Sequence, residues 1–311
     1  MGWGAYMLYV LFGAALVAAV VAIVGATSES SVRWIEREFR EARLLRVALA
    51  GLGVLLIACV VACALTTGLV RDVGVGVIVV AIVLLTLLAI AAPYLRRAPA
   101  VTLRGRRILA IGAHPDDLEL ACGATLAKLI DQGHEVRAVV MSHGSSGGNG
   151  PVRAVEARNG SRYLRVEQTT VHDFEDTALE RYELLMVRAI EKAIAEFQPD
   201  VVLTHSPNDQ HQDHSAVYSA TLRAARRCSS ILCYESPSAT RDFSPGFFVD
   251  VTSHIDIKVR AIEQHRDQRL KPYMSASRAR ATAVFRGSQA RVAFAEGFEV
   301  TRLEGSSVGD F

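Results

Sequence analysis

The sequence predicts an α/β domain with a mainly parallel sheet, preceded by about three transmembrane helices. Three observations predict it. Hydrophobic residues make up 50% of the chain, and before position 95 they crowd into uncharged segments, each close to the roughly 20 residues a helix needs to cross a bilayer core. From Arg106 onward, short apolar runs alternate with amphipathic stretches, as in strands joined by helical crossovers. Two clusters of histidine and aspartate each follow a strand end, which is where ligands of such sheets sit. The expected organisation is a membrane region over 1–98 and a second domain over 99–311.

The apolar segments are Ala5–Ala26, Val47–Leu69 and Val73–Ala92, and none contains Asp, Glu, Lys or Arg. Three such stretches would make an unusual soluble core. The first is too long for a cleaved signal peptide and lacks its basic start, so it is expected to be retained. Between the first two, "SSVRWIEREFREARLLR" puts Val32, Ile35, Phe39 and Ala42 at helical spacing with charges between them. This pattern suits a helix lying on the membrane surface, and equally a plain solvated one. Arg33, Arg37, Arg40, Arg43 and Arg46 fill the first loop; Arg96, Arg97, Arg104, Arg106 and Arg107 follow the third segment. The second loop has only Arg71 and the amino terminus has no arginine. The positive-inside rule then puts the N-terminus outside and the C-terminal domain in the cytoplasm. An integral protein of the cell (inner) membrane is expected, in contact with membrane lipid. "RRAPAVTLRGRR" reads as a basic linker and "EGSSVGDF" as a disordered tail.

Beyond the linker, "RILAIGA" reads as a strand and "LACGATLAKLIDQG" as a helix closed by Gly133. "EVRAVVMS" is a second strand, followed by the Gly/Ser loop "HGSSGGNGP" and a helix over about 152–164. "RYELLMVRAIEKAIAEFQ" is a helix ended by Pro199, "DVVLTHSP" a third strand, and "HSAVYSATLRAARRC" a further helix. Gly112 stands alone without GxGxxG, and the Gly/Ser loop lacks the Gly-Lys-Ser/Thr ending of a phosphate cradle. The loop is expected to be a mobile pocket rim. With 34 basic against 32 acidic residues the net charge is only +2. No basic stripe with interleaved aromatics is present, so nucleic acid is not an expected partner. The five cysteines form no CxxC pair, which argues against a zinc finger or a disulfide framework.

The chemistry lies in "HPDD", residues 114–117, and in "HSPNDQHQDH", which carries His211, Asp213 and His214. Adjacent carboxylates repel, and burying them is costly without a compensating cation. His114, Asp117 and His214 supply two imidazoles and a carboxylate. This is the ligand set of a catalytic zinc that keeps its fourth position for water. The other aspartate is left beside that water as a general base. Plainer roles compete. Asp116 and Glu119 have capping-box spacing, Arg153 and Glu156 the spacing of an exposed helical pair, and His265 suits a surface helix. His143 and His205 also end strands.

"AHPDDLE" followed by "HQDH" resembles the PIG-L/LmbE-like N-deacetylase family, whose pattern is AHPDD(x)E, a glycine-containing loop with RxxE, and HxDH. The pattern falls on Ala113 to Glu119, on Gly147 and Gly148 with Arg153 and Glu156, and on His211 to His214. "HDFEDTAL" around Asp176, "KVRAIEQHRDQ" with Lys258, His265 and Gln268, and "AEGFE" add to the resemblance, which covers about 105–300. It implies a Rossmann-like LmbE-type domain and a zinc-dependent N-deacetylase, with Fe2+ as the alternative metal. The substrate implied is an N-acetylglucosamine-type sugar or glycolipid, hydrolysed to acetate and a free amine. By the resemblance, His114, Asp117 and His214 match metal ligands and Asp116 the general base. His211 matches the residue that stabilises the oxyanion or protonates the leaving amine, with Asp213 orienting it. Arg153, Asn208 and His265 fall at substrate-binding positions. Asp267 replaces the serine of the family's H-S-Q element, and Asn208-Asp209 stands where the family often has Asn-Gly. Two other readings are an amidase acting on a thiol-sugar conjugate and a non-catalytic membrane sugar-binding protein.

Overall fold

The structure is a computed structural model that describes residues 3–96 and 105–305. The chain divides into two compact units, Met1–Ala98 and Pro99–Phe311. Most of the expected basic linker, with Arg97 and Arg104, and most of the expected disordered tail lie outside the described residues.

The first unit consists of α1 (Trp3–Thr27), α2 (Glu29–Glu38), α3 (Ala42–Leu65) and α4 (Leu69–Leu95). Helices α1, α3 and α4 are each long and apolar enough to cross a membrane. Ala15, Ala19, Leu56, Val60 and Ile78 pack between them, while Val17, Val21, Val61 and Val83 are exposed. The second apolar helix ends earlier than its hydropathy predicts, at Leu65 instead of Leu69. Gly68, at φ +65°, turns the chain there, so α4 starts at Leu69 and draws Arg71 and Asp72 into its first turns. The amphipathic helix is also shorter than expected. Ser28 caps α2, but Phe39 leaves the helix in extended backbone, bridges to Arg96 and is buried with Ile35 and Leu45. Ala42 therefore opens α3 and does not extend the face of α2.

The second unit is an α/β fold. In chain order it runs β1 (Arg107–Gly112), α5 (Asp117–Asp131), β2 (Glu135–Ser142), α6 (Gly150–Leu164), β3 (Gln168–Phe174), α7 (Glu183–Phe197), β4 (Val201–Thr204) and α8 (Gln212–Ala224). β5 (Ser230–Tyr234), β6 (Phe247–Asp250), α9 (Ile255–Ile262), α10 (Ala276–Ala290) and β7 (Ala295–Arg302) complete it. The sheet order is β3-β2-β1-β4-β5-β7-β6. β1 to β5 pair in parallel, and β7 runs antiparallel to both β5 and β6. Side chains alternate across a strand, so Ile108 and Ala110 enter one core cluster and Leu109 and Ile111 the other. β1 lies between β2 and β4: the chain runs outward from it through β2 to the edge strand β3, then crosses back to β4 on the other side. The carboxyl ends of β1 and β4 thus flank the switch point where α/β sheets bind ligands.

Candidate metal centre

β1 ends at Gly112, and the next four residues turn the chain into α5, which opens with Asp117. Asp117 closes that turn: its Oδ2 accepts the N–H of Ala113 at 2.9 Å and of His114 at 2.7 Å. β4 ends at Thr204, and the loop after it leads into α8, where His211 is the N-cap and Asp213 and His214 lie in the first turn. The two loops converge. His114 Nδ1 lies 3.3 Å from His214 Nε2 and 3.5 Å from Asp117 Oδ2, and His214 Nε2 lies 3.4 Å from Asp117 Oδ1. All three residues are buried.

Carboxylates hold the far side of both rings. His114 Nε2 donates to Asp176 Oδ1 and Asp213 Oδ2, each at 3.1 Å, and His214 Nδ1 donates to Asp209 Oδ2 at 2.8 Å. In the neutral rings, those partners hold the hydrogens outward and leave the lone pairs inward, toward one another and toward Asp117. A positive charge, from a bound cation or from the rings' own second protons, offsets the carboxylates gathered here. A tetrahedral ion with bonds of about 2.0–2.1 Å spaces its ligand atoms by about 3.3–3.4 Å; the two imidazole nitrogens are 3.3 Å apart, and each lies 3.4–3.5 Å from a different oxygen of Asp117. The donor set fits a small divalent cation.

The electrostatics reflect the same crowding. Burial opposes charge on His214, but Asp117 and Asp209 outweigh it and raise the imidazole to about 9. Burial likewise opposes charge on His114, yet Asp117, Asp176 and Asp213 hold it well above its ordinary value. Burial would push Asp117 up, but His214, His205 and His114 together hold it well below the usual carboxylate range. Asp176, also against the effect of burial, is lowered to about 2 by His114. His205 does reach the cluster. Its Nε2 accepts from the Ala113 N–H at 3.0 Å and lies 3.1 Å from Asp117 Oδ2, and its ring stacks on His214 at 3.9 Å. Burial, and then the charge of His214, lower it to about 4, so it stays neutral near pH 7. His205, His211, Asp176 and Asp213 form further triads with these residues that could hold an ion. His143 does not line the cavity.

The remaining expected site residues divide. Asp116 stands at the N-cap of α5, but its side chain makes no capping bond. Oδ1 accepts from the Arg153 guanidinium at 3.0 Å, and buried Oδ2 has no hydrogen-bond partner among the described residues. Arg153 is buried and does not pair with Glu156 on an exposed face: it donates to Asp116 and to the Gly144 carbonyl. Glu156 instead accepts the Asp267 N–H at 3.2 Å. His211 Nδ1 accepts the Asp213 N–H at 3.3 Å, which leaves Nε2 as the ring's N–H on the cavity wall. Burial, and then the charges of His114 and His214, lower its pKa.

Three positions differ from expectation. The Asp213 carboxylate orients His114, not His211, because the N–H groups of Thr177 (2.8 Å) and Leu179 (3.1 Å) hold it on that side. Asn208 does not line the cavity, since Glu299 on β7 takes its amide at 2.8 Å. His265 is buried with its Nε2 3.5 Å from Glu119, also outside the cavity lining and not on a surface helix.

Sequence reasoning missed Asp209 as a holder of His214, and Ser238, Lys271, Tyr273 and Arg278 on the cavity wall. Asp176 was visible within "HDFEDTAL" but carried no role. The cavity measures about 360 Å3. A second of about 280 Å3 shares Leu120, Pro237, Tyr273 and Arg278 with it and is lined further by Glu235 and Arg286.

The profile of the family described as PIG-L, GlcNAc-PI de-N-acetylase, matches residues 109–225, which contain every residue of the cluster. The uncharacterised deacetylase YaiS of Escherichia coli K12 is 42% identical over 166 residues, 51% of this chain and 90% of that protein. The chain belongs to the PIG-L deacetylase family. Another relative is the diacetylchitobiose deacetylase of Thermococcus kodakarensis, 28% identical over 188 residues, covering 52% of this chain and 70% of that one. The PIG-L fold is also evident against the solved structure of the N,N'-diacetylchitobiose deacetylase of Pyrococcus horikoshii. There the TM-score is 0.55 at 24% identity, over 63% of this chain and 84% of the other. The second unit thus has the LmbE-like α/β fold, and the three apolar helices lie outside the residues that the PIG-L profile matches.

Proposed function

We propose that this PIG-L protein hydrolyses the N-acetyl amide of an N-acetylglucosamine-type sugar or glycolipid, releasing acetate and a free amine. One observation carries the reading: at the carboxyl ends of β1 and β4, an inward-facing His-Asp-His set adjoins a buried carboxylate oxygen, Asp116 Oδ2, that no other group among the described residues engages. His114, Asp117 and His214 would hold the metal, zinc or Fe2+. A zinc ion held there would supply Lewis-acid polarisation of the acetyl carbonyl and would lower the pKa of water to about 7.

The chain's own residues do the rest. Asp116 borders the cavity, and Arg153 fixes one of its oxygens, which leaves the other to accept a proton. That oxygen takes a proton from the attacking water and returns it to the departing amine. The His211 N–H donates to the oxyanion that develops on the acetyl oxygen, a contact whose loss costs about 2.7–4 kcal/mol in comparable sites. Asp176, Asp209 and Asp213 keep the ligand imidazoles in the correct tautomer. The adjoining cavity has room for whatever the amino sugar is attached to.

The three apolar helices support a membrane-anchored enzyme, and the arginine distribution supports a cytoplasmic catalytic domain. Tethering raises the encounter rate with a membrane-borne substrate. The test is acetate release by the full chain in detergent from a panel of acetylated glycosides and glycolipids, beside Asp116→Ala and His214→Ala. Release by the wild type and loss in both variants is expected. No release from any compound, or equal release by the variants, would overturn the reading.

A further inference from the structure

α5 is not continuous. Cys122, at φ −131° and ψ 17°, breaks it into an opening turn, residues 117–121, and a longer segment that runs on to Asp131. In an unbroken helix the Thr125 N–H would bond to the Ala121 carbonyl four residues back. Here an ion pair stands between those two groups. Thr125 N–H donates to Glu296 Oε2 at 2.7 Å, and Ala124 N–H to Glu296 Oε1 at 3.2 Å. Lys258 Nζ donates to Glu296 Oε1 at 2.6 Å and to the Ala121 carbonyl at 3.2 Å. Glu296 caps the start of the longer segment, and Lys258 caps the end of the opening turn. Both side chains are buried, and they come from β7 and α9, so three elements join at the break. A Cβ on Gly123 would already touch Lys258 Cγ at 3.4 Å, so the glycine leaves the lysine stem room to pass.

A straight helix would need no such pair, and burying two charges is costly unless the geometry is well satisfied. What the break changes is the direction of the opening turn, which carries Asp117 and is preceded by Asp116. We propose that Lys258 and Glu296 are positioning residues: inserted in the break of α5, they set the tilt of the Asp116–Asp117 turn and thereby the grip of His114, Asp117 and His214 on a cation. The inference rests on the cation reading of the site. It accounts for two stretches, "KVRAIEQHRDQ" and "AEGFE", that the reaction scheme leaves without a role.

The experiment is zinc affinity of the full chain in detergent, by competition with a chromophoric chelator. Variants are Lys258→Met, Lys258→Arg and Glu296→Gln, each with a melting curve. Groups that orient metal ligands typically change affinity by about 10–100-fold when removed. That loss is expected for Lys258→Met and Glu296→Gln. Lys258→Arg, which keeps a cationic donor for Ala121 and Glu296, should lose less than Lys258→Met. Wild-type affinity in Glu296→Gln or Lys258→Met, or a loss in Lys258→Arg as deep as in Lys258→Met, would overturn the inference. Should Lys258→Met lack a cooperative melt, Glu296→Gln against Lys258→Arg decides on the same criteria. A wild type that binds no zinc would overturn the site reading itself, and this inference with it.

Discussion

Asp116 and Asp117 are neighbours in sequence but differ in what their oxygens touch. Asp117 is committed to two backbone amides and lies against three imidazoles, whereas Asp116 gives one oxygen to Arg153 and keeps the other free of hydrogen bonds among the described residues. Removing the free oxygen's basicity should therefore affect the reaction and not the metal. Asp116→Asn is expected to lower kcat by about 100-fold to 10,000-fold, with zinc content as in the wild type; a metal-free variant would contradict the division of roles. His265 makes a separate prediction. Burial opposes its charge, but Glu119, Asp116 and Glu156 outweigh burial and raise it above 6.5. The folded state thus binds this proton more tightly than the unfolded chain. The stabilisation is complete below pH 6.5 and fades as pH rises through the raised value. Melting curves across pH should show the wild type losing its advantage over His265→Gln as pH rises above 6.5. An advantage that grows instead would refute the ion-pair account.

At the scale of elements, the site is made by two strand ends and the first turns of α5 and α8. That much was legible, because β1 and β4 are apolar runs that stop at ionisable residues, and strand ends of a parallel sheet share one side. The roles of single residues were less legible. Motif spacing identifies Asp213 and His265 but not where their side chains turn, which depends on the backbone amides of Thr177 and Leu179 and on Glu119. Asn208 was misplaced because its partner, Glu299, lies 91 positions away. β3 escaped notice because "QTTVHDF" is a polar edge strand without an apolar run, and the competing capping-box reading of Asp116 fails because Asp116 makes no capping bond and Glu119 faces His265. Packing behind the opening turn of α5 is tight: a Cβ on Gly160 of α6 would stand 2.5 Å from Glu119 Oε1 and 3.0 Å from His265 Nε2. Gly160→Ala is expected to cost about 1–3 kcal/mol, read from urea unfolding of the full chain in detergent. An unchanged midpoint would mean that the buried pair has slack.

At the scale of the whole molecule, a unit of apolar helices precedes a PIG-L unit in one chain. The helices expose valines and leucines along their length, which suits lipid and not water. The protein should remain in the membrane fraction after alkaline carbonate, leave it only with detergent, and report cytoplasm from a reporter at its C-terminus. Release by carbonate, or an external reporter signal, would contradict the anchored arrangement. The central claim is that two distant loops grip one cation. The most direct measurement is the zinc bound per chain by the purified full-length protein, beside His114→Ala and His214→Ala of matched folding. A single ion per chain in the wild type and none in either variant is the predicted result; a wild type without zinc, or variants that bind it as fully as the wild type, would contradict the account.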